Sequence, residues 1–188
     1  MKKTIIITAI ITGMLTACFL MLFSGTGKDV FLTFSVISGT TAYHFFMRLI
    51  VGAIYDRVMN NKADYKRRWF KEKKWEKSLY KRLGVKKWKN KMPTYEPDIF
   101  DASKHSLYEI AQAMCQAELV HETCFVLSFV PIIFIPMFGA PAAFIITSVV
   151  AACLELAFVM MQRYNRPRIV RLYERRSKKQ EYKVHILN

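Results

Sequence analysis

Three ionisable side chains open the third apolar run of the sequence, and their spacing suits proton transfer. Glu118, His121 and Glu122 occur in QAELVHET, where positions three and four apart share one face of a helix. A histidine beside a carboxylate can act as a general base toward an alcohol, because the carboxylate fixes the tautomer of the ring. We therefore predict that His121 is the catalytic base and that Glu118 or Glu122 orients its imidazole.

The same residues leave a second chemistry open. Glu-x-x-His is a known metal-ligand spacing in helical bundles, and Glu118 with His121 fits it. This motif occurs once, and His44 is the one other histidine that we consider as a second ligand. We therefore predict acid/base chemistry with no bound metal, and we keep a metal-dependent membrane hydrolase that uses Glu118 and His121 as an alternative.

Other polar groups interrupt the apolar runs, where they are costly and usually functional. His44 and Arg48 lie four residues apart and share a helix face. Glu155 precedes the motif QRYNRPR, whose candidate binding residues are Arg163, Asn165, Arg166 and Arg168. We predict that these groups meet at one depth in the cytoplasmic half of their helices and bind a substrate. A structural ion pair between Glu155 and Arg48 is the alternative.

The helices that position these residues are predicted from three uncharged runs. Thr4–Gly27, Val30–Met47 and Thr123–Leu154 contain no Asp, Glu, Lys or Arg, and a helix needs about 20 residues to cross a bilayer. The third run is read as a hairpin, with PMFGAP as its turn and helices over about 118–136 and 141–162. Pro167 then predicts that the last helix does not simply continue. The fold class is an all-α integral membrane protein with four spans, and a re-entrant loop is the alternative for the third run.

Basic residues set the predicted orientation. Residues 56–105 hold 16 Lys and Arg against 7 Asp and Glu, and residues 163–188 hold 9 against 2. Such loops stay in the cytoplasm, so both termini of this multi-pass protein are predicted to be cytoplasmic. We expect the first apolar run to be kept as an anchor, since it continues past Cys18. The predicted parts are an N-terminal transmembrane hairpin (1–55), a cytoplasmic interfacial segment (56–116), a second transmembrane hairpin (117–162) and a cytoplasmic basic tail (163–188).

The interfacial segment interleaves aromatic and basic residues. Its central part reads YKRRWFKEKKWEKSLYKRLGVKKWKNK, a composition typical of helices that lie at the surface of anionic membranes. We predict anionic inner-leaflet lipid as a partner and no nucleic acid. Gly84 predicts a break between two short helices, PTYEPDIFD an extended stretch, and Ser103 the cap of a helix beginning near His105.

Three stretches together resemble a known family. They are KKWKNKMP, QAELVHE and QRYNRPR, in this order between Trp75 and Arg176, and the pattern DIFDxxxH at 98–105 agrees with the same family. Their order and spacing are similar to those of the glycosyl-4,4'-diaponeurosporenoate acyltransferases, small bacterial membrane proteins that complete staphyloxanthin-type carotenoids. The positions that match are Trp88, Lys89, Asp101, His105, Glu118, His121, Arg163, Asn165, Arg166 and Arg168.

The resemblance implies transfer of a fatty acyl group onto a sugar hydroxyl of a membrane-resident glycosylated lipid, such as a carotenoid glycoside, in the bacterial cell membrane. The donor would be acyl-CoA or a similar substrate, with no other cofactor. Basic residues of KKWKNK and QRYNRPR would hold donor phosphates, and Asn165 would donate to the oxyanion. The alternative from another class is a non-catalytic membrane protein that binds anionic lipid or a partner.

Overall fold

The structure, a computed structural model, describes residues 2–94 and 96–187. In chain order, its α-helices are α1 (Lys2–Thr26), α2 (Asp29–Met59), α3 (Lys74–Arg82), α4 (Val85–Trp88), α5 (Leu107–Leu127), α6 (Ile135–Phe138) and α7 (Pro141–Leu187). Short 3-10 turns lie at Arg68–Phe70, Lys89–Lys91, Pro97–Phe100 and Val130–Phe134. These described residues contain no strand, so the predicted all-α class is confirmed.

Four helical stretches of the described chain are long and apolar enough to cross a membrane, as predicted. They are Lys3–Thr26, Asp29–Met59, Leu107–Phe138 and Pro141–Gln180. Several hydroxyl side chains within them bond to carbonyls of their own helix: Thr8 Oγ1 donates to the Thr4 carbonyl at 2.9 Å, and Thr12 Oγ1 to the Thr8 carbonyl at 2.7 Å. Such bonds let small polar residues lie in apolar surroundings without a separate partner.

The chain forms two compact units. The apolar unit comprises Met1–Tyr55 and Val120–Ala157, and the basic unit comprises Asp56–Leu119 and Phe158–Asn188. Every boundary between them falls inside a helix, namely α2, α5 or α7. Each unit therefore draws its functional side chains from more than one long helix.

Each unit has its own packed core. In the apolar unit, one cluster contains Met47, Val51 and Cys124, and another contains Val36, Ala143 and Phe144. The core of the basic unit contains Ala63, Tyr65, Phe70, Ala111 and Cys115. In the basic unit, burial of these apolar groups away from water is the main favourable contribution, whereas helices in lipid are held by van der Waals packing. The polar side chains described below are fixed with these cores.

The third span differs from its predicted bounds. α5 begins at Leu107 and ends at Leu127, and a 3-10 turn and the short α6 follow it. Pro131 and Pro136 lie in the first turns of those short elements, where a missing N–H costs little. The predicted turn within PMFGAP is confirmed, since α6 is followed by Gly139, whose positive φ (65°) is a backbone conformation that favours glycine.

α7 continues through Pro167, so the prediction that this proline ends the fourth helix is wrong. An interior proline removes one backbone hydrogen bond and costs about 3 kcal/mol. Contacts near the proline hold the helix. Arg166 Nη2 donates to the Phe70 carbonyl at 2.6 Å, and Ile169 and Val170 pack on the core of the basic unit. Tertiary packing therefore outweighs the local preference.

The interfacial segment contains the predicted break between two short helices, but the residue that caps α5 is not the predicted one. Gly84 (φ 61°) separates α3 from α4, as predicted. The cap of α5 is Ser106 rather than Ser103: the Glu109 carboxylate accepts from the Ser106 N–H at 2.8 Å, while the Glu109 N–H donates to Ser106 Oγ at 3.2 Å. This reciprocal capping box is favoured because the glutamate lies three residues after Ser106, whereas Ser103 donates to the Asp101 carboxylate.

Candidate functional site

An ion cluster in the apolar unit joins three predicted site residues from three helices. Glu155, on α7, is 2% exposed and accepts from Arg48 Nε of α2 at 2.8 Å through Oε1. Its other oxygen, Oε2, lies 2.7 Å from Nδ1 of His121 on α5. A second nitrogen of Arg48 also contacts Oε1. The carboxylate is thus held between a guanidinium and an imidazole, which offset the cost of burying its charge.

His44 lies one helical turn before Arg48 and differs from the other members of the predicted site. Both of its ring nitrogens are buried, and neither has a hydrogen-bond partner among the described residues. Buried polar atoms of this kind are uncommon and call for a specific explanation, such as a ligand or an ordered water. The ring therefore has hydrogen-bonding capacity that the described residues do not use.

A cavity of about 280 Å³ also lies in the apolar unit. Side chains of Leu20, Val36, Phe134, Phe138 and Phe144 line it. Three of the lining hydroxyls are already bonded: Thr16 and Thr40 donate to carbonyls of their own helices, and Tyr43 donates to the Leu127 carbonyl at 3.0 Å. The cavity therefore offers an apolar surface, suited to a hydrocarbon chain.

The basic unit contains a separate buried network of two carboxylates and two guanidiniums. Glu118 is fully buried and accepts from Arg163 Nη1 at 2.5 Å and from Arg166. Glu76, 1% exposed, accepts from Arg163 Nη2 at 2.5 Å. The two cations and two anions balance within the network, and backbone carbonyls of Trp69 and Phe70 accept further arginine hydrogens. These ion pairs link the interfacial segment, α5 and α7 to one another, as expected for a structural role.

Glu76 was missed in the sequence analysis, because it lies within a strongly basic stretch and looks like a solvated surface charge. A usable signal was that α3 has an amphipathic pattern in which Glu76 and Tyr80 share one face. Both are buried, and burial raises the pKa of the Tyr80 phenol to about 12. A lone carboxylate on the buried face of a basic helix predicts an arginine partner.

Residues of KKWKNK and QRYNRPR meet on the basic unit. Lys89 Nζ donates to Asn165 Oδ1 at 2.8 Å, so Asn165 presents its oxygen to this lysine. Arg168 lies 4.4 Å from the centre of the Tyr164 ring and donates to its hydroxyl at 2.7 Å. Trp88 donates from Nε1 to the Leu83 carbonyl at 3.1 Å. These contacts bring Lys89 and Asn165 together, whereas Trp88 and Arg168 bond to local groups.

The remaining predicted site residues lie at other places. Asp101 is in an exposed loop, where hydrogen bonds from Ser103 lower its pKa. His105 is also exposed, and its Nδ1 lies 3.9 Å from the Glu109 carboxylate. Glu122 is half-buried on α5. In residues 2–94 and 96–187, no group of three or more His, Cys, Asp or Glu side chains is arranged to hold a metal ion.

The structure thus separates the predicted residues into two clusters with different partners. In the apolar unit, His121 Nδ1 is hydrogen-bonded to the carboxylate of Glu155, whereas the predicted partner was Glu118 or Glu122. In the basic unit, Glu118 binds Arg163 and Arg166, which were predicted to bind substrate phosphates. Since these guanidiniums already contact carboxylates, we assign them a positioning role.

The chain matches a known protein family. The family model of the glycosyl-4,4'-diaponeurosporenoate acyltransferases matches residues 66–175. That range contains α3, α4, α5 and the part of α7 with QRYNRPR. No curated protein and no solved structure matches the chain.

Proposed function

The chain belongs to the glycosyl-4,4'-diaponeurosporenoate acyltransferase family, and from that premise we propose that it moves a fatty acyl group from a cytoplasmic thioester donor, such as acyl-CoA, to a sugar hydroxyl of a membrane-resident glycosylated carotenoid. Four apolar helices and strongly basic loops support a multi-pass cell-membrane protein with both termini in the cytoplasm. The donor is polar and the acceptor is lipidic, so they would meet at the inner leaflet.

The observation that carries this proposal is the hydrogen bond between His121 and Glu155. In the tautomer that donates from Nδ1 to Glu155, the lone pair of the ring lies on Nε2. His121 would take the proton of the sugar hydroxyl as its oxygen attacks the thioester carbonyl. The carbon–sulfur bond then breaks, and the imidazolium returns the proton to the leaving thiolate. This use of one histidine as base and then as acid is the usual logic of acyl transfer.

Arg48 and His44 would complete the site. Arg48 balances the charge of Glu155, so that the carboxylate can stabilise an imidazolium without leaving an isolated buried charge. His44 has no hydrogen-bond partner among the described residues, and we assign it to the substrate oxygen that gains charge as the hydroxyl attacks. Preorganised donors of this kind stabilise the transition state more than the ground state.

One observation favours a second candidate function. Arg48, Glu155 and His121 already satisfy one another, as expected of a non-catalytic membrane protein in which ion pairs hold helices together and the basic segment binds anionic lipid. His44 fits this alternative less well, because its buried ring nitrogens have no hydrogen-bond partner among the described residues and a structural residue gains nothing from that.

The test is transfer of radiolabelled acyl-CoA to a lipid extract that contains glycosylated carotenoid, by purified protein in nanodiscs. We expect labelled product with the wild type, and a loss of about 10²-fold or more for His121→Ala and Glu155→Gln. Cys153→Ser is the control, since Cys153 is exposed on α7 two residues before Glu155. It should keep wild-type activity.

Full activity of purified His121→Ala would refute the proposed base. If the wild type gives no product although the acceptor is present, the lipid-binding candidate moves ahead. Elemental analysis of the same sample then tests the metal-dependent hydrolase, because that alternative requires a stoichiometric metal.

A further inference from the structure

A cavity of about 450 Å³ lies in the basic unit, and no role discussed above uses it. One wall is the segment from Tyr65 to Glu72, and the other is the face of α7 from Arg166 to Glu174. Tyr65 and Phe70 form an aromatic floor that is largely buried, and Pro167 and Val170 extend it. Ligand sites commonly enclose roughly 300–1,000 Å³, so the cavity is large enough for part of a substrate.

Exposed charges surround this floor. The cations are Lys66, Lys71 and Arg171, and the carboxylates are Glu72 and Glu174. Arg171 lies 3.9 Å from Glu72, and the ion pair is half exposed. The buried Arg166 at the base of the cavity is balanced by Glu118. The rim therefore holds three cations against two carboxylates, and its two lysines are placed to meet an anion.

We propose that this cavity binds the phosphate-bearing half of the acyl donor, a nucleoside phosphate attached to the thioester carrier. This inference rests on the proposed function. A planar base would lie against Tyr65 and Phe70, because aromatic side chains are favourable stacking surfaces for bases. Lys66 and Lys71 would contact the phosphates, since lysine binds phosphate as a mobile point charge.

The occupied arginines of QRYNRPR support this location. Arg163 and Arg166 contact Glu76, Glu118 and backbone carbonyls, so a phosphate that bound them would have to displace buried partners. Lys66 and Lys71 are exposed on the rim. An anionic lipid headgroup offers the same phosphate chemistry, and the experiment must separate the two sources.

Two charge-reversed variants provide the test. The first is Lys66→Glu with Lys71→Glu, which changes the rim. The matched control is Lys62→Glu with Lys74→Glu, which makes the same charge change at two exposed lysines of the same segment that do not line the cavity. Binding of coenzyme A to detergent-purified full-length protein is measured by calorimetry. Binding to vesicles of phosphatidylglycerol and of phosphatidylcholine is measured in parallel.

We expect coenzyme A to bind the wild type and the control within about twofold of each other, and to bind the rim variant at least about tenfold more weakly. Loss of phosphatidylglycerol binding in the rim variant alone, with no coenzyme A binding to any protein, would assign the phosphate to a lipid headgroup. Equal binding of both probes to the two variants, or no binding of either probe to the wild type, would overturn the proposal.

Acyl transfer is measured on the same preparations, so that the two proposals can fail separately. If the wild type transfers acyl groups while coenzyme A binds both variants equally, the cavity is wrongly assigned and the proposed function stands. If coenzyme A binding depends on Lys66 and Lys71 but no acceptor is ever acylated, the cavity assignment stands and the proposed function fails.

Discussion

Replacing Glu118 by glutamine tests whether the buried network holds the basic unit together. Glu118 is fully buried and accepts from both Arg163 and Arg166. Glutamine keeps the shape, removes the charge and turns one acceptor oxygen into a donor that faces a guanidinium. Arg163 keeps Glu76 as a partner, and Arg166 keeps the Phe70 carbonyl and its position over the Phe70 ring. Breaking a buried ion pair on one side costs about 3–5 kcal/mol, and the remaining contacts place this change at about 3 kcal/mol.

Intrinsic fluorescence provides the assay. The chain has three tryptophans, Trp69, Trp75 and Trp88, and all lie in the basic unit. A loss of about 3 kcal/mol lowers the thermal midpoint of a chain of this size by about 6–12 °C. The control is Glu109→Gln on the same helix, because Glu109 is exposed and glutamine also forms the capping box. The control should unfold at nearly the wild-type temperature.

A second variant distinguishes the electrostatic contribution of the ion pair to stability from the contribution of its volume to packing. Glu118→Leu combined with Arg166→Met replaces the pair by apolar side chains of similar size and leaves Arg163 with Glu76. Such replacements are often neutral or stabilising, so the double variant should recover most of the lost midpoint. The reasoning fails if Glu118→Gln unfolds within about 2 °C of the wild type, or if the double variant is less stable than the single one.

Two further predictions concern α3 and α7. Burial raises the pKa of Tyr80 from the ordinary 10.0 to about 12. The pKa of Tyr80 is thus higher in the folded than in the unfolded state. Its contribution to the free energy of unfolding is therefore fully present below pH 10 and is lost as the pH rises toward 12. Tyrosinate absorbance of the wild type minus that of Tyr80→Phe should show one late-ionising tyrosine, and a difference centred near the ordinary value would contradict this. Pro167→Ala restores a helical N–H, so the free energy of unfolding should rise by about 1–2 kcal/mol; a lower thermal midpoint would show that the proline ring makes a needed contact.

The sequence was sufficient to predict the four helices that are long and apolar enough to cross a membrane. Length and the absence of charge decide that question, and the four predicted spans correspond to four long apolar helices. The end of the last helix was not predictable in the same way. Pro167 carries a strong local signal, and only the packing of Ile169 and Val170 and the bond from Arg166 to Phe70 show why the signal is overruled.

The polar groups within the apolar runs were visible in the sequence, but their pairing was not. Glu118 and His121 lie three residues apart, which turns them about 60° from each other around an ideal helix. Two residues that their spacing assigns to one helix face can therefore still contact different partners. Which carboxylate reaches His121 depends on the register of α7 beside α5, and that register follows from packing that a single sequence does not display.

The motif QRYNRPR shows how one short stretch serves two purposes. Arg163 and Arg166, three apart, are among its less exposed members and hold buried carboxylates, whereas Arg168 is exposed and stacks on Tyr164. An inward arginine with two fixed acceptors cannot be replaced by lysine, whose single ammonium lacks the planar fork. An outward arginine that lies on an aromatic ring tolerates that change better. The inward arginines of the motif therefore have a structural role, and Arg168 is a surface group. We expect Arg168 to tolerate replacement by lysine better than Arg163 and Arg166 do.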